Sequence, residues 1–254
     1  MKKIHYLAMS AISSVAFTSS LSAAVVGTDN ASATAYSGGW LDGTDGSITG
    51  PGAYGIWFLN PGADITHEVA SVSSLSGNPP SLDTGGVSFR MLGNGAEATA
   101  FRFIDPAGLS VGQSFSIDLA VNFRGGNKGI DMRGSGEATI FNFNIGGDDY
   151  TVNGAATGNG SIGSAYSDDT LFTLTFEQTS GSGGNWSIAR SGGVTDLDSG
   201  TYTGIATSFK LYANAGGSNE DALFINNLAT VPEPGQYALL FGMGMLGLAF
   251  LRRR

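Results

Sequence analysis

The sequence predicts an all-β protein: a single antiparallel β-sandwich, jelly-roll-like, between an N-terminal signal helix and a C-terminal transmembrane helix. Three observations lead there. Apolar and polar residues alternate with period two through many short segments, the pattern of half-buried strands. Glycine makes up 40 of 254 residues without a collagen-like period, and Gly/Asn/Asp/Ser clusters separate the segments. Charged residues are only 13% of the chain, so the strong helix formers Glu, Lys and Arg are scarce.

The chain opens with Lys2 and Lys3, followed by a largely apolar run from Ile4 to Leu21 and the small residues Ser22-Ala23-Ala24. That order reads as a signal peptide, with signal peptidase expected to cut after Ala24, or after Ala23 as the near alternative. Three parts follow from this: residues 1–24 as signal peptide, 25–230 as sandwich, and 231–254 as a separate C-terminal segment. Between Val25 and Val231 lie 20 acidic and 7 basic side chains, a net charge of −13. Such a surface argues against nucleic acid and anionic membranes as partners. Cysteine is absent, which excludes disulfides, thiolate metal sites and thiol nucleophiles.

In order, Ala53 to Leu59 is a short apolar run between Pro-Gly pairs and reads as a buried strand. Ser71 to Gly86 reads as a loop. Val87–Leu92 and Ala98–Ile104 alternate. Phe115 to Arg124 is the clearest strand, with Phe115, Ile117, Leu119, Val121 and Phe123 on one face and Ser116, Asp118 and Asn122 on the other. Ile130–Met132 follows a glycine turn. Thr139–Ile145 and Tyr150–Val152 form a hairpin across Gly146-Gly147-Asp148-Asp149, and Leu171–Phe176 pairs with Trp186–Ala189 across Ser180–Gly184. Thr201–Thr203, Phe209–Tyr212 and Ala222–Ile225 complete ten to thirteen expected strands. Their order, with the closing Phe224-Ile225-Asn226-Asn227-Leu228, resembles lectin-type sandwiches of the concanavalin/laminin-G kind. A β-solenoid is the alternative, but no repeat of fixed length is found.

Few residues carry recognisable chemistry. His67 is the one histidine after the signal peptide, and no G-x-S-x-G accompanies it, so a Ser-His-Asp triad has no basis. A glycosidase needs two carboxylates, but no Glu-x-Asp occurs to supply the E-x-D-x-x-E strand common in sandwich glycosidases. Calcium is the one cofactor the acidic loops suggest; Asp196 and Asp198 come nearest to a calcium-loop pattern, one position short. Trp40, Trp57, Trp186 and several tyrosines are candidates for stacking on a polysaccharide, with Trp57 expected to be buried between Ile56 and Phe58.

The end of the chain is more specific. Pro232-Glu233-Pro234 is a stiff, extended tripeptide. Tyr237 to Leu251 is fifteen residues without a charge, and Arg252, Arg253 and Arg254 close the chain. A helix over these fifteen spans about 22 Å against the ~30 Å hydrocarbon core, so a span over 236–251 needs its flanks and the snorkelling arginines. Basic residues beside the span put the C-terminus inside and the sandwich outside. Gly242, Gly244 and Gly247 spell G-x-G-x-x-G, but the chain ends seven residues later without the acidic residue of a dinucleotide site.

This order resembles the sorting signal of PEP-CTERM exported bacterial proteins. The resemblance covers about a tenth of the chain. It implies that an exosortase-type membrane enzyme recognises the tail, cuts near Pro232, Glu233 and Pro234, and delivers the protein to the cell surface or extracellular matrix. The expected function is structural, adhesive or carbohydrate-binding without catalysis; the alternative is a secreted carbohydrate-active hydrolase.

Overall fold

The computed structural model describes residues 27–47, 54–72, 82–104, 107–123, 125–147, 149–163, 170–192, 195–214 and 221–232. The signal-peptide residues, Ala24 included, and the tail from Glu233 to Arg254 lie outside them. Among the described residues no helix is long and apolar enough to cross a membrane.

Among the described residues, fifteen strands build two antiparallel sheets. They are β1 (Gly27–Asp29), β2 (Phe58–Leu59), β3 (Ile65–Ala70), β4 (Ser88–Gly93), β5 (Ala98–Phe103), β6 (Gln113–Val121), β7 (Asn127–Arg133), β8 (Thr139–Asn144), β9 (Thr151–Asn153), β10 (Gly160–Ser161), β11 (Thr170–Ser180), β12 (Gly183–Gly192), β13 (Asp196–Thr203), β14 (Ser208–Asn214) and β15 (Leu223–Pro232). One sheet has eight strands, ordered β13-β12-β11-β6-β15-β4-β3, with β1 also paired to β15. The other has seven, ordered β10-β9-β8-β7-β14-β5-β2. The expected sandwich is what forms.

Period-two alternation sets the inner faces. Phe115, Ile117 and Leu119 of β6 and Phe172, Leu174 and Phe176 of β11 face Phe141 and Phe143 of β8 and Phe209 and Leu211 of β14; all are buried. Phe115 stacks on Phe209 at 5.1 Å between ring centres, and Phe141 meets Phe176 edge-on at 4.9 Å. Each such ring contributes about 1.5–3 kcal/mol by leaving water. The expected hairpins pair as predicted: Phe143 opposite Val152, and Phe176 opposite Trp186.

Three details differ from the sequence reading. The strand expected over Phe115–Arg124 ends at Val121, and past its end the faces swap: Asn122 is buried and Phe123 is 42% exposed. The run Ala53–Leu59 yields only the two-residue β2 and a bridge from Tyr54 to Ile104. In β5 the inward residues are Ala98, Ala100 and Arg102, while Phe101 and Phe103 point out. Hydrophobicity alone would choose the opposite face.

Arg102 explains that inversion. Its side chain is fully buried, forms an ion pair with Asp29, bonds Asp45 at 2.6 Å and donates to the Gly55 carbonyl at 2.7 Å. The guanidinium lies over the rings of Trp57 (4.7 Å) and Tyr54 (4.9 Å). Asp29 also accepts from the Tyr36 hydroxyl at 2.5 Å, and Trp57 Nε1 donates to that hydroxyl at 2.9 Å. These bonds hold residues 27–47 and 54–60 against the sandwich.

β15 is the seam of the molecule. Its first half pairs with β4 and its second half with β1, while β6 follows it on the other side as far as Pro232, opposite Gln113. The change of partner is made at a bulge between Asn226 and Ala229. There Asn227 takes a positive φ of 52°, a conformation Asn tolerates. Buried Asn226 accepts from the Ala31 amide and donates to the Leu82 and Val87 carbonyls, all at 3.0 Å.

Candidate functional site

The two outer faces differ. On the eight-stranded sheet, Val72 and Leu82 cover an apolar patch of Leu92, Ala120, Ala222 and Phe224. Beyond it, strands β11 to β13 form a shallow groove of about 450 Å³ lined by hydroxyl and amide side chains such as Thr175, Asn185 and Ser199. No exposed ring stands in that groove; Trp186, which borders it, is 1% exposed.

The outer face of the seven-stranded sheet is the more reactive surface. Strand register brings Asp131 of β7 opposite Lys210 of β14 and Asn142 of β8, with Phe101 of β5 on the far side of Lys210. Asn142 Nδ2 donates to Asp131 Oδ1 at 2.8 Å and to the Tyr212 hydroxyl at 2.9 Å. Lys210 Nζ reaches Asp131 at 3.4 Å and Glu97 at 3.5 Å. Arg133 reaches Asp131 and Glu137, each at 3.6 Å. Burial pushes the Tyr212 hydroxyl up to about 12; the charges of Asp131 and Glu97 add to the shift against the Asn142 hydrogen bond. Tyr212 therefore stays a neutral hydroxyl at physiological pH.

Beside this polar network stands an aromatic cluster. Phe58, Phe101 and Phe103 pack edge to face, with ring centres 4.9 to 6.2 Å apart. Phe58 is 45% and Phe103 37% exposed. Arg133 lies 5.8 Å from the Phe101 ring centre. Large exposed rings next to fixed donors and acceptors, on rigid strands, suit a polyhydroxylated ligand that offers both apolar C–H faces and hydroxyl groups.

The tryptophans proposed for stacking do not serve that role. Trp40, Trp57 and Trp186 are each at most 1% exposed, and among the described residues the rings open to solvent are phenylalanines. His67 is half-buried on β3, bonded to the Thr99 carbonyl at 3.1 Å and edge-on to Trp40. Burial lowers its pKa, so it is a neutral packing residue.

Asp196 and Asp198 lie on edge strand β13, opposite Arg190 and Ile188 of β12. Burial and the Asp196 charge raise the Asp198 pKa, while Arg190 and the Gly163 amide pull it down. A cation there would compete with the Arg190 guanidinium. Among the described residues no three His, Asp or Glu side chains gather as a metal site.

Of the processing residues, Pro232 ends β15, while Ala24, Glu233, Pro234 and Arg252 to Arg254 lie outside the described residues. Residues 230–254 match the model of the PEP-CTERM protein-sorting motif. The chain carries a PEP-CTERM sorting signal. That signal marks an exported protein handed to an exosortase-type enzyme for delivery to the cell surface. No curated protein matches the sequence. Among solved structures, the fold is similar to a protein titled sialidase, at 12% identity and TM-score 0.46, covering 70% of this chain and 17% of that one. It is also similar to the T. cruzi calreticulin globular domain, at 9% identity and TM-score 0.42, over 76% and 90% of the two chains. A third is the botulinum neurotoxin type G receptor binding domain, at 12% identity and TM-score 0.37, over 70% and 43%. The chain spans only a small part of the sialidase and less than half of the neurotoxin chain.

Proposed function

We propose that this exported protein is a non-enzymatic, carbohydrate-binding or adhesive protein of the cell surface or extracellular matrix. Its ligand face is the outer side of the seven-stranded sheet. The observation that carries this reading is the exposed Phe58–Phe101–Phe103 cluster beside the Asp131–Asn142–Tyr212–Lys210 network. The rings offer apolar faces for sugar C–H groups, and the network offers donors and acceptors already held in place. In this reading the signal peptide is cut after Ala24, the stretch 236–251 holds the protein in the membrane, and processing near Pro232–Pro234 releases it.

The alternative is a hydrolase using Asp131 and Glu97, both of which reach Lys210. Binding is the stronger reading because each of these carboxylates is already engaged by a cation. A glycosidase needs one carboxyl free to protonate the leaving oxygen.

The test is retention of the full chain on a panel of insoluble and soluble polysaccharides, with reducing ends measured in parallel. Phe103→Ala and Asn142→Ala should each weaken binding to a retained polysaccharide about tenfold, equivalent to ~1.4 kcal/mol, with no sugar released. Binding unchanged in both variants removes this face as the site. Sugar release abolished by Asp131→Asn establishes the hydrolase instead.

A further inference from the structure

We propose that, while the sorting tail is inserted, the sandwich rests against the lipid surface with one defined end. That end is formed by the connections at 107–112, 134–138, 178–183 and 203–207. The inference rests on the reading that the tail enters the membrane, and it adds which surface of the domain meets the bilayer.

Both chain ends leave the sandwich there. Pro232 pairs with Gln113, and Gly27 pairs with Thr230, so β1 enters where β15 exits. Tyr237, the first residue of the uncharged run, is five residues past Pro232. Five extended residues span at most about 17 Å, so a tail inserted from Tyr237 keeps this end of the sandwich within that distance of the hydrocarbon core.

The end itself is tied into one rigid surface. Buried Gln178 donates to the carbonyls of Ser180 (2.7 Å), Gly204 (3.0 Å) and Gly183 (3.2 Å), and accepts from the Tyr202 hydroxyl and the Ala206 amide at 3.1 Å. The Gly112 amide reaches the Gln178 carbonyl at 2.8 Å, and the Leu109 amide reaches Ala206 at 2.8 Å. Charge is sparse here. Among the described residues of the four connections Glu137 is the one charged side chain, paired with Arg133, and Asp105 is the one further acid in the sequence between β5 and β6. Val111 is 50% exposed and Ile205 37% exposed, so two aliphatic tips stand among small and hydroxyl residues.

The opposite end is acidic. Asp64, Glu97, Asp149 and Asp221 stand in its connections. With −13 charges between Val25 and Val231, the domain is repelled by an anionic leaflet wherever its carboxylates face it. The end with fewer carboxylates is the one that approaches at least cost, and it is the end from which the tail emerges. This orientation turns the acidic loops away from the membrane and leaves the outer face of the seven-stranded sheet open at the side.

The absence of native cysteine makes the test clean. Single cysteines replace Val111 and Ile205 at the proposed contact, Asn214 at the opposite end, and Met245 in the tail, each in the full chain and each carrying an environment-sensitive fluorophore. Vesicles of phosphatidylethanolamine and phosphatidylglycerol, with and without spin-labelled lipid, report proximity by quenching. Ser182→Cys, at an exposed residue of the same end, substitutes if the aliphatic sites do not fold. The expected result is strong quenching at position 245 and at least twofold more quenching at 111, 205 or 182 than at 214. Quenching at 245 with equal signals at the two ends overturns the orientation while leaving the inserted tail intact. No quenching at 245 overturns the inserted tail, and the orientation with it.

Discussion

Replacing Arg102 by Met tests the inverted strand at the centre of the fold. The guanidinium is fully buried and forms an ion pair with a fully buried Asp29 carboxylate. Met keeps much of the volume but leaves Asp29 with the Tyr36 hydroxyl and the Gly55 carbonyl without its donor. Removing one partner of a buried ion pair costs about 3–5 kcal/mol, because the other charge stays buried and uncompensated. The Asp45 arm adds little, since that carboxylate is 39% exposed. The predicted loss is a large share of a total stability of about 5–15 kcal/mol. For a domain of this size it lowers Tm by about 10 °C or more.

A pH signature separates this cause from lost packing. Burial already raises the Asp29 pKa above its usual value, against the pull of Arg102 and the Tyr36 hydrogen bond. A carboxyl whose pKa is raised by folding contributes most stability below its unfolded pKa and loses it as pH rises through the folded pKa. Without Arg102 the pKa rises further, so the destabilisation should be largest at neutral pH and shrink toward pH ~4. Urea unfolding followed by the three buried tryptophans, at neutral pH and at pH ~4, measures both. Adding Asp29→Asn to Arg102→Met should restore part of the loss at neutral pH. A loss below about 1 kcal/mol, or one that does not change with pH, refutes the argument that this pair holds the N-terminal segment in place.

Two further outcomes are expected. Asn226→Ala leaves the Ala31 amide and the Leu82 and Val87 carbonyls without partners; it should cost about 2–4 kcal/mol, with hydrogen exchange rising first at Ala31 and in β1. Lys128, fully buried with its ammonium on the Phe123 and Asp221 carbonyls at 2.6 and 2.7 Å, has its pKa lowered to about 8 by burial, against the pull of Asp221. A lysine whose pKa is depressed by folding favours the folded state more as pH rises, so stability should climb from about pH 8. Above pH ~10 the slope reverses, because Tyr36, Tyr54 and Tyr202 ionise in the unfolded chain while burial keeps them neutral in the fold. Lys128→Met should abolish the climb in an alkaline unfolding series.

The hairpins were legible because their information is local. Leu171 to Ala189 contains two alternating strands and the glycine turn between them, and the structure pairs them, Leu171–Phe176 against Trp186–Ser191. Residues 27–47 and 54–60 were less legible because their structure is set by distant partners. Trp57 and Tyr54 do not mark a strand of their own; both pack on Arg102, and Tyr54 bridges to Ile104, far along the chain. The candidate ligand face failed to show for the same reason. Reading β5 by hydrophobicity buries Phe101 and Phe103; the Asp29 carboxylate, brought in by β1, with Asp45 and the Gly55 carbonyl, explains why Arg102 is inside instead.

The sequence by itself determined what short-range pattern can encode: an all-β chain, the spacing of most of its strands, and a sorting tail read as a linear string. Tertiary structure alone decided which face of β5 looks outward, that the three tryptophans are core, and that Gly27 and Pro232 lie at the same, less charged end of the sandwich. Those outcomes depend on pairings across as many as 200 residues, such as Gly27 with Thr230. A period-two strand fits a sheet either way up; long-range contacts, not its own residues, choose the side.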